Sequence, residues 1–295
     1  MNQNDFEKWK FEVLLELLQA LAENKFLKKN LILKGAIILN QYLPNSRKSL
    51  DIDTNLSRKF VNVNPSRERQ KSILREHLEL AISRHFEGQD PVRYELLNLK
   101  IESHPKGLHP RGWEGFQITI SIKDNNHASV RGLPNLTIDV AAPEPLSEDS
   151  LTEISIGRSK IQVYSLERIA GEKARAYLSS LPTYREKVRA SDRTPRVRDL
   201  YDLANILHHK RISDRAFWNA AGREFRLACE SRYVDCPGID CFFEDWSKIE
   251  GLYSKTPIIP ADILFNEVEK SILAISRYWK KKGIIPFSFP LQSAS

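Results

Sequence analysis

Apolar positions in the first two dozen residues recur at intervals of three and four. Phe6, Trp9, Val13, Leu14, Leu17, Leu18 and Leu21 fall on one face, which predicts an amphipathic helix over residues 5–22. The period then shortens. Residues 31–33 read as a short apolar strand, 36–42 as a helix after a turn at Lys34-Gly35, and 49–56 as a second strand. Pro65 opens a helix that runs to about Phe86 and is closed by Gly88. Three extended runs come next, at 93–102, 116–123 and 136–142. The middle one, FQITISIKD, alternates as a half-exposed strand should. Pro143-Glu144-Pro145 breaks the third, and residues 153–163 are strand-like with a turn near Gly157.

After Ser165 the helical period takes over. Helices are predicted at 166–181, 197–208, 214–233, 242–253 and 261–280, and the tail GIIPFSFPLQSAS reads as an extended arm or a loose end. The pattern gives an α+β protein. An N-terminal domain over residues 1–160 carries a mixed sheet with helices, and a helical domain fills 161–295.

Chemistry concentrates on the strand at 49–56. Asp51 and Asp53 are two apart, so an extended strand projects both from one face, with Leu50 and Ile52 pointing the other way. Two neighbouring carboxylates repel unless a cation lies between them, and Mg²⁺ is the common cation that also takes phosphate oxygens. Gly35 lacks a Cβ, so a phosphate can approach the backbone, and the helix behind it offers free N–H groups. A two-metal site needs a third acid on a neighbouring strand. LTIDVAA supplies Asp139, set on the face opposite Ile138 and Val140. Read without that context, Asp139 is an exposed polar residue on an ordinary sheet.

A glycine turn, a helix and D-x-D on the next strand resemble the DNA polymerase β-type nucleotidyltransferase fold. The fuller pattern, K-G with R-x-S-x-D-x-D after it, resembles the AbiEii/AbiGii-type toxins of bacterial toxin–antitoxin and abortive phage-infection systems. It is carried by Lys34, Gly35, Arg47, Ser49, Asp51 and Asp53. One position departs: the family's second small residue, usually Gly or Ser, is Ala36, which removes a hydroxyl but keeps the backbone contact. The resemblance extends to EKARA, where it implies a triphosphate contact for Lys173, and to RVRDLYDLANIL, where Arg196, Arg198, Asp199 and Asp202 fall on the family's pattern. Asp199 and Asp202 share a helix face. Asp199 is assigned to the cleft and Asp202 to a structural ion pair with Arg198 or Lys173. The helical domain would thus lend Lys173 and Asp199 to the active cleft.

The residues and the resemblance together imply a Mg²⁺-dependent nucleotidyltransferase toxin. Asp51, Asp53 and Asp139 hold two metal ions, and Lys34, Gly35, Ala36, Arg47, Ser49 and Lys173 meet the NTP. Arg47 could instead neutralise the acids. The resemblance further implies an RNA acceptor, the tRNA 3′ end, and a separate antitoxin that is a DNA-binding repressor. The matched positions span residues 31–207; about the last ninety residues carry no assignable motif.

Bulk composition adds two points. A formal net charge of +7 and a pI near 9.2 attract polyanions. Arg158, Lys160, Arg168, Lys173, Arg175, Arg185, Lys187, Arg189, Arg193, Arg196 and Arg198 crowd one segment, read as an RNA-facing surface against the plainer reading of a solvated helical face. Three cysteines, Cys229, Cys236 and Cys241, leave one unpaired and match no zinc spacing. No apolar run approaches the ~20 residues that span a bilayer, and the N-terminus reads as a helix rather than a secretory signal, so a cytoplasmic protein is expected. Two alternatives remain: a toxin that binds nucleotide and acts by RNA or protein binding without efficient transfer, and a D-x-D glycosyltransferase. The second suits the chain poorly, because only about fifty residues precede Asp51.

Overall fold

The computed structural model describes residues 3–43, 46–106, 113–127, 132–189 and 194–291. In chain order these carry α1 (Gln3–Glu23), α2 (Leu27–Asn30), β1 (Leu31–Lys34), α3 (Gly35–Tyr42), β2 (Ile52–Leu56), α4 (Arg58–Val63), α5 (Arg67–Glu87), β3 (Tyr94–His104), β4 (Gly115–Asp124), β5 (Leu136–Ala141), β6 (Leu151–Ile156) and β7 (Ser159–Tyr164). Then come α6 (Leu166–Leu178), α7 (Pro182–Val188), α8 (Val197–His209), α9 (Arg215–Glu230), α10 (Trp246–Ser254) and α11 (Phe265–Lys281). The fold is mixed, with a sheet followed by helices, as the pattern predicts. Its contacts group into two units. One holds Met1–Ile38, Lys48–Glu144 and Thr152–Val163; the other holds Leu39–Arg47, Pro145–Leu151 and Tyr164–Ser295.

The first unit is built on a seven-stranded sheet in the order β3-β4-β5-β2-β1-β7-β6. β1 runs antiparallel to β2 and parallel to β7, β2 runs parallel to β5, and β4 runs antiparallel to both β3 and β5. Alternation sorts the two faces. Ile52, Ile118, Ile120, Leu136, Ile138 and Val140 are buried, while Asp53, Gln117 and Asp139 between them are half-buried. The stripe of α1 is buried at Trp9, Val13, Leu14, Leu17 and Leu18, and α5 packs on α1 and β3. Each such side chain contributes roughly 1.5–3 kcal/mol. Trp9 Nε1 donates to Asp124 at 2.9 Å, and His85 meets Glu16 at 2.9 Å and Glu23 at 3.1 Å, so polar contacts also fix α1.

Two local expectations change here. The acidic strand starts at Ile52 rather than at residue 49, because the Ser49 hydroxyl donates to the Asp51 carbonyl at 2.9 Å and bends the chain before it. The helix expected from Pro65 starts at Arg67, where Ser66 caps it by accepting from Arg69 N–H, and a separate short α4 precedes it with Ser57 as its cap.

In the second unit α6 packs on α8 and α9, and α11 packs on α8 and α9. Ser165 and Asp214 cap α6 and α9 by accepting from Arg168 and Phe217 N–H. Gly171 lets α6 and α9 touch: a Cβ there would lie 2.8 Å from the Glu224 carbonyl carbon. Buried Phe225 stacks on Trp279 with centroids 4.7 Å apart, and Trp279 Nε1 donates to the Trp218 carbonyl at 3.0 Å. Arg168, fully buried, pairs with Glu224 at 3.1 Å. The helix predicted over 166–181 ends at Leu178, and Pro182 starts α7. The tail is not a loose arm as far as residue 291. Phe287 and Cys236 exchange backbone hydrogen bonds at 3.0 Å, and Lys187 holds the Phe289 carbonyl at 2.7 Å. Cys229, Cys236 and Cys241 are all free thiols. Among the described residues no helix is long and apolar enough to cross a membrane.

Candidate active site

Strand register draws the chemistry of the first unit into one row. Lys34 on β1 pairs with Asp53 on β2, Asp53 with Asp139 on β5, and Asp139 with Gln117 on β4. Directly paired residues share a face, so four polar side chains from four strands line up across the sheet. Gln117 Nε2 donates to Asp139 at 3.2 Å. Lys34 reaches Glu144, 3.6 Å away and buried, which also accepts from Asn55 at 3.3 Å. The row borders a pocket of about 240 Å³ lined by Lys34, Asp53, Gln117 and Asp139 together with His104, Trp113 and Phe116.

Gly35 opens α3 in the left-handed region, with φ +77°. A Cβ on it would fall onto the Asp53 carboxylate, with Asp53 Cβ and Cγ only 2.8 Å away. The missing side chain therefore makes room for an acid, besides leaving the backbone bare. Ala36 is buried in the first turn of the same helix.

Asp51 lies just before β2, half-buried, and accepts from the wholly buried Ser49 hydroxyl at 3.1 Å. Burial raises the proton affinity of Asp139, and the Asp51 charge raises it further, against the Gln117 hydrogen bond and the charges of His104 and Lys34. Lys10 on α1 also feels Asp51: burial lowers its ammonium pKa and the carboxylate opposes the fall. Among the described residues no three His, Cys, Asp or Glu side chains stand in an arrangement that holds a metal by themselves. Mg²⁺ commonly takes only one or two carboxylates, with water and substrate phosphates filling its octahedron. The all-oxygen pair Asp53 and Asp139, with Asp51 close by, fits that use.

The other expected residues gather in the second unit as a buried ion network. Lys173 Nζ lies 2.9 Å from Asp199 and 2.6 Å from Asp202. Arg47 grips Asp202 with two hydrogen bonds, Nε to Oδ1 at 2.9 Å and Nη2 to Oδ2 at 2.8 Å. Arg196 Nε binds Asp199 from the exposed side. Burial alone would lower the Lys173 pKa, but the two aspartates outweigh it and hold the amine above its ordinary value. Burial likewise opposes ionisation of Asp199, and Arg196 and Lys173 reverse this, holding its carboxyl well below the usual range. The expected contrast between a cleft Asp199 and a structural Asp202 does not appear, since both are buried and both take Lys173. Arg47 rather than Arg198 is the guanidinium partner of Asp202, because α8 leaves Arg198 exposed.

The basic segment is less of a surface than its composition suggests. Arg168, Lys173 and Arg185 are buried, Arg175 pairs with Glu172, and Lys187 binds Asp235 at 2.6 Å. Arg158, Lys160, Arg189, Arg196 and Arg198 are exposed, and Arg193 lies outside the described residues. Sequence reasoning missed Gln117, His104, Trp113, Glu144 and Lys10. Gln117 alone carried a signal, as a polar residue at an alternating position on FQITISIKD.

A family model described as nucleotidyl transferase AbiEii toxin, Type IV TA system, matches residues 16–281. No curated protein matches the chain.

Proposed function

The chain belongs to the AbiEii nucleotidyl transferase toxin family, and from that premise we propose that it moves a nucleotide from an NTP to an RNA acceptor with the help of Mg²⁺. The observation that carries this reading is the Lys34–Asp53–Asp139–Gln117 row at the mouth of a pocket. Asp53 and Asp139, with Asp51, would hold the metal. Bound there, Mg²⁺ supplies charge to offset the phosphate oxygens of the donor and the developing negative charge of the leaving group. Lys34 and the first N–H groups of α3 receive the outer phosphates. Asp139, the carboxylate at the β4 side of the row, takes the proton of the acceptor hydroxyl. The acceptor oxygen bonds to the α-phosphorus, the bridging P–O bond to the β-phosphate breaks, and pyrophosphate leaves. In the second unit Asp199 and Asp202 keep Lys173 protonated, the state that a triphosphate contact requires. Arg47 supports Asp202 rather than a phosphate.

The family is one of toxins in a toxin–antitoxin system, so a cognate antitoxin is the expected partner. We take it to be a DNA-binding repressor, and the RNA acceptor to be tRNA at its 3′ end, where a blocking nucleotide would halt translation. Incubating the purified protein with total RNA, Mg²⁺ and each labelled NTP in turn tests the reading. Label in the tRNA band with one NTP, lost with Asp53→Asn, supports it. NTP binding with no label in any RNA would overturn it, in favour of a toxin that binds nucleotide without transfer.

A further inference from the structure

An in-line displacement places the attacking oxygen and the leaving pyrophosphate on opposite sides of the phosphorus. The sheet row has two unlike ends that match this demand. At the β1 end stand Lys34 and the N-terminus of α3, suited to phosphates. At the other end, past Asp139, the row continues through Gln117 on β4 to Glu102 on β3, which pairs with Lys100, and there the pocket is lined by His104 and Trp113. Gln117 binds Asp139, His104 is the pairing partner of Gly115, and Trp113 lies two residues before that glycine. All three line the pocket that also takes in Asp53 and Asp139.

Resting on the nucleotidyl-transfer reading, we propose that this β3–β4 end is the acceptor subsite, where the terminal nucleoside of an RNA stacks its base on Trp113 and turns its ribose toward His104, Gln117 and Asp139. Gly115 and Ala141 also line the pocket beside Asp139. Their backbones touch so closely that a Cβ on Gly115 would lie 3.1 Å from Ala141 Cα. At about 240 Å³ the pocket is below the ~300–1,000 Å³ of sites for whole drug-sized ligands, too small for donor and acceptor together. A half-buried tryptophan beside polar groups suits a base, because stacking tolerates any base while the polar groups recognise the sugar. His104 and Asp139 line the same pocket, which places the histidine on the side of the carboxylate expected to receive the acceptor proton.

The wall carrying Trp113 is braced from behind. Arg67, the first residue of α5, donates to the Gly115 carbonyl at 2.7 Å, pairs with Glu114 at 3.5 Å and lies over the Phe116 ring at 4.8 Å. Arg67 therefore ties the start of α5 to the strand end that follows Trp113.

The test compares full-length wild type with Trp113→Ala, Trp113→Phe and His104→Ala, each checked for folding by circular dichroism. Binding of a 5′-labelled RNA oligonucleotide with a free 3′ hydroxyl is read by anisotropy, and binding of a non-hydrolysable NTP by calorimetry. Trp113→Ala should weaken RNA binding about tenfold or more, the usual scale for losing one stacked base. Trp113→Phe should stay within about threefold of wild type, since a phenyl ring still stacks, and NTP affinity should be unchanged in both. His104→Ala should raise the KM for RNA without changing that for NTP. A loss of NTP affinity with RNA affinity intact would give the pocket to the donor and overturn the proposal. If wild type labels RNA but none of the variants changes RNA binding, the subsite is wrong and the transfer reading stands. If wild type labels only protein, or nothing, the transfer reading fails and takes the subsite with it.

Discussion

The Asp53 carboxylate occupies the space that a side chain on Gly35 would fill. Gly35 is thus fixed twice, by its φ of +77° and by its neighbour. Gly35→Ala should destabilise the protein by about 1–2 kcal/mol from the left-handed backbone alone, with more from displacement of Asp53. Nucleotide transfer should fall further than stability does, because the acid is pushed out of register with Asp139. Urea unfolding and a transfer assay measure the two. An alanine variant with wild-type transfer would show that the Asp53 position is not critical.

Asp53 and Asp139 face each other across β2 and β5, and on the proposed reading a cation between them would offset their like charges. Asp53→Asn should leave the metal-free protein at least as stable as wild type. Addition of Mg²⁺ with NTP should raise the melting temperature of wild type and not of the variant, since a ligand at 100 times its Kd adds about 2.7 kcal/mol. Transfer should drop roughly 100-fold or more, beyond the usual cost of losing an outer-shell partner. An undiminished Mg²⁺ response in Asp53→Asn would remove this residue from the metal site.

How far the sequence alone reaches depends on how local each signal is. The Lys34-Gly35 turn, the alternation of FQITISIKD and the helical period after Ser165 depend on neighbouring residues, and each appears in the structure. Asp139 could be picked out by alternation, yet its pairing with Asp53 depends on the strand order β4-β5-β2-β1, which no local pattern encodes. Asp51 looked like a strand residue because D-x-D alternates; the Ser49 hydroxyl bends the chain there instead. Arg185 and Lys187 looked like surface charge because composition carries no burial. Lys187 in fact ties α7 to the tail through the Tyr233 and Phe289 carbonyls and Asp235. The Lys173 network joins residues 47, 173, 199 and 202, far apart in sequence, and only the resemblance singled them out.

That network makes opposite predictions for two roles of Lys173. Lys173→Ala leaves Asp199 and Asp202 buried with one cation fewer, which should cost about 3–5 kcal/mol. Combining it with Asp199→Asn should recover part of the loss, as coupled partners do in a double-mutant cycle. If Lys173 also meets the donor, a stable form of the variant should lose affinity for NTP more than for the monophosphate. Equal losses would confine Lys173 to a structural role, and an unchanged stability would argue that the ion network contributes little. Asp199, held low by Arg196 and Lys173, contributes stability above about pH 4 that is lost as pH falls through its folded pKa.

The contact between α1 and α5 should be sensitive near neutral pH. His85 sits between Glu16 and Glu23, and the Glu16 hydrogen bond, opposed by burial and joined by Glu23, raises its pKa above 6.5. Glu16 is lowered in return, chiefly by the His85 hydrogen bond. Linkage sets the signs. The His85 contribution is complete below about pH 6.5 and decays as pH rises through the higher folded value. The Glu16 contribution is complete above about pH 4.3 and decays on acidification. The clamp is therefore strongest between these limits and weakens above neutrality, by roughly 0.5–1 kcal/mol for a partly exposed pair. Unfolding free energies of wild type should fall relative to His85→Gln as pH rises from about 6.5, the ordinary histidine value, measured by urea titration at fixed ionic strength. Parallel curves for the two proteins across that range would mean that His85 does not carry the charge in the folded state.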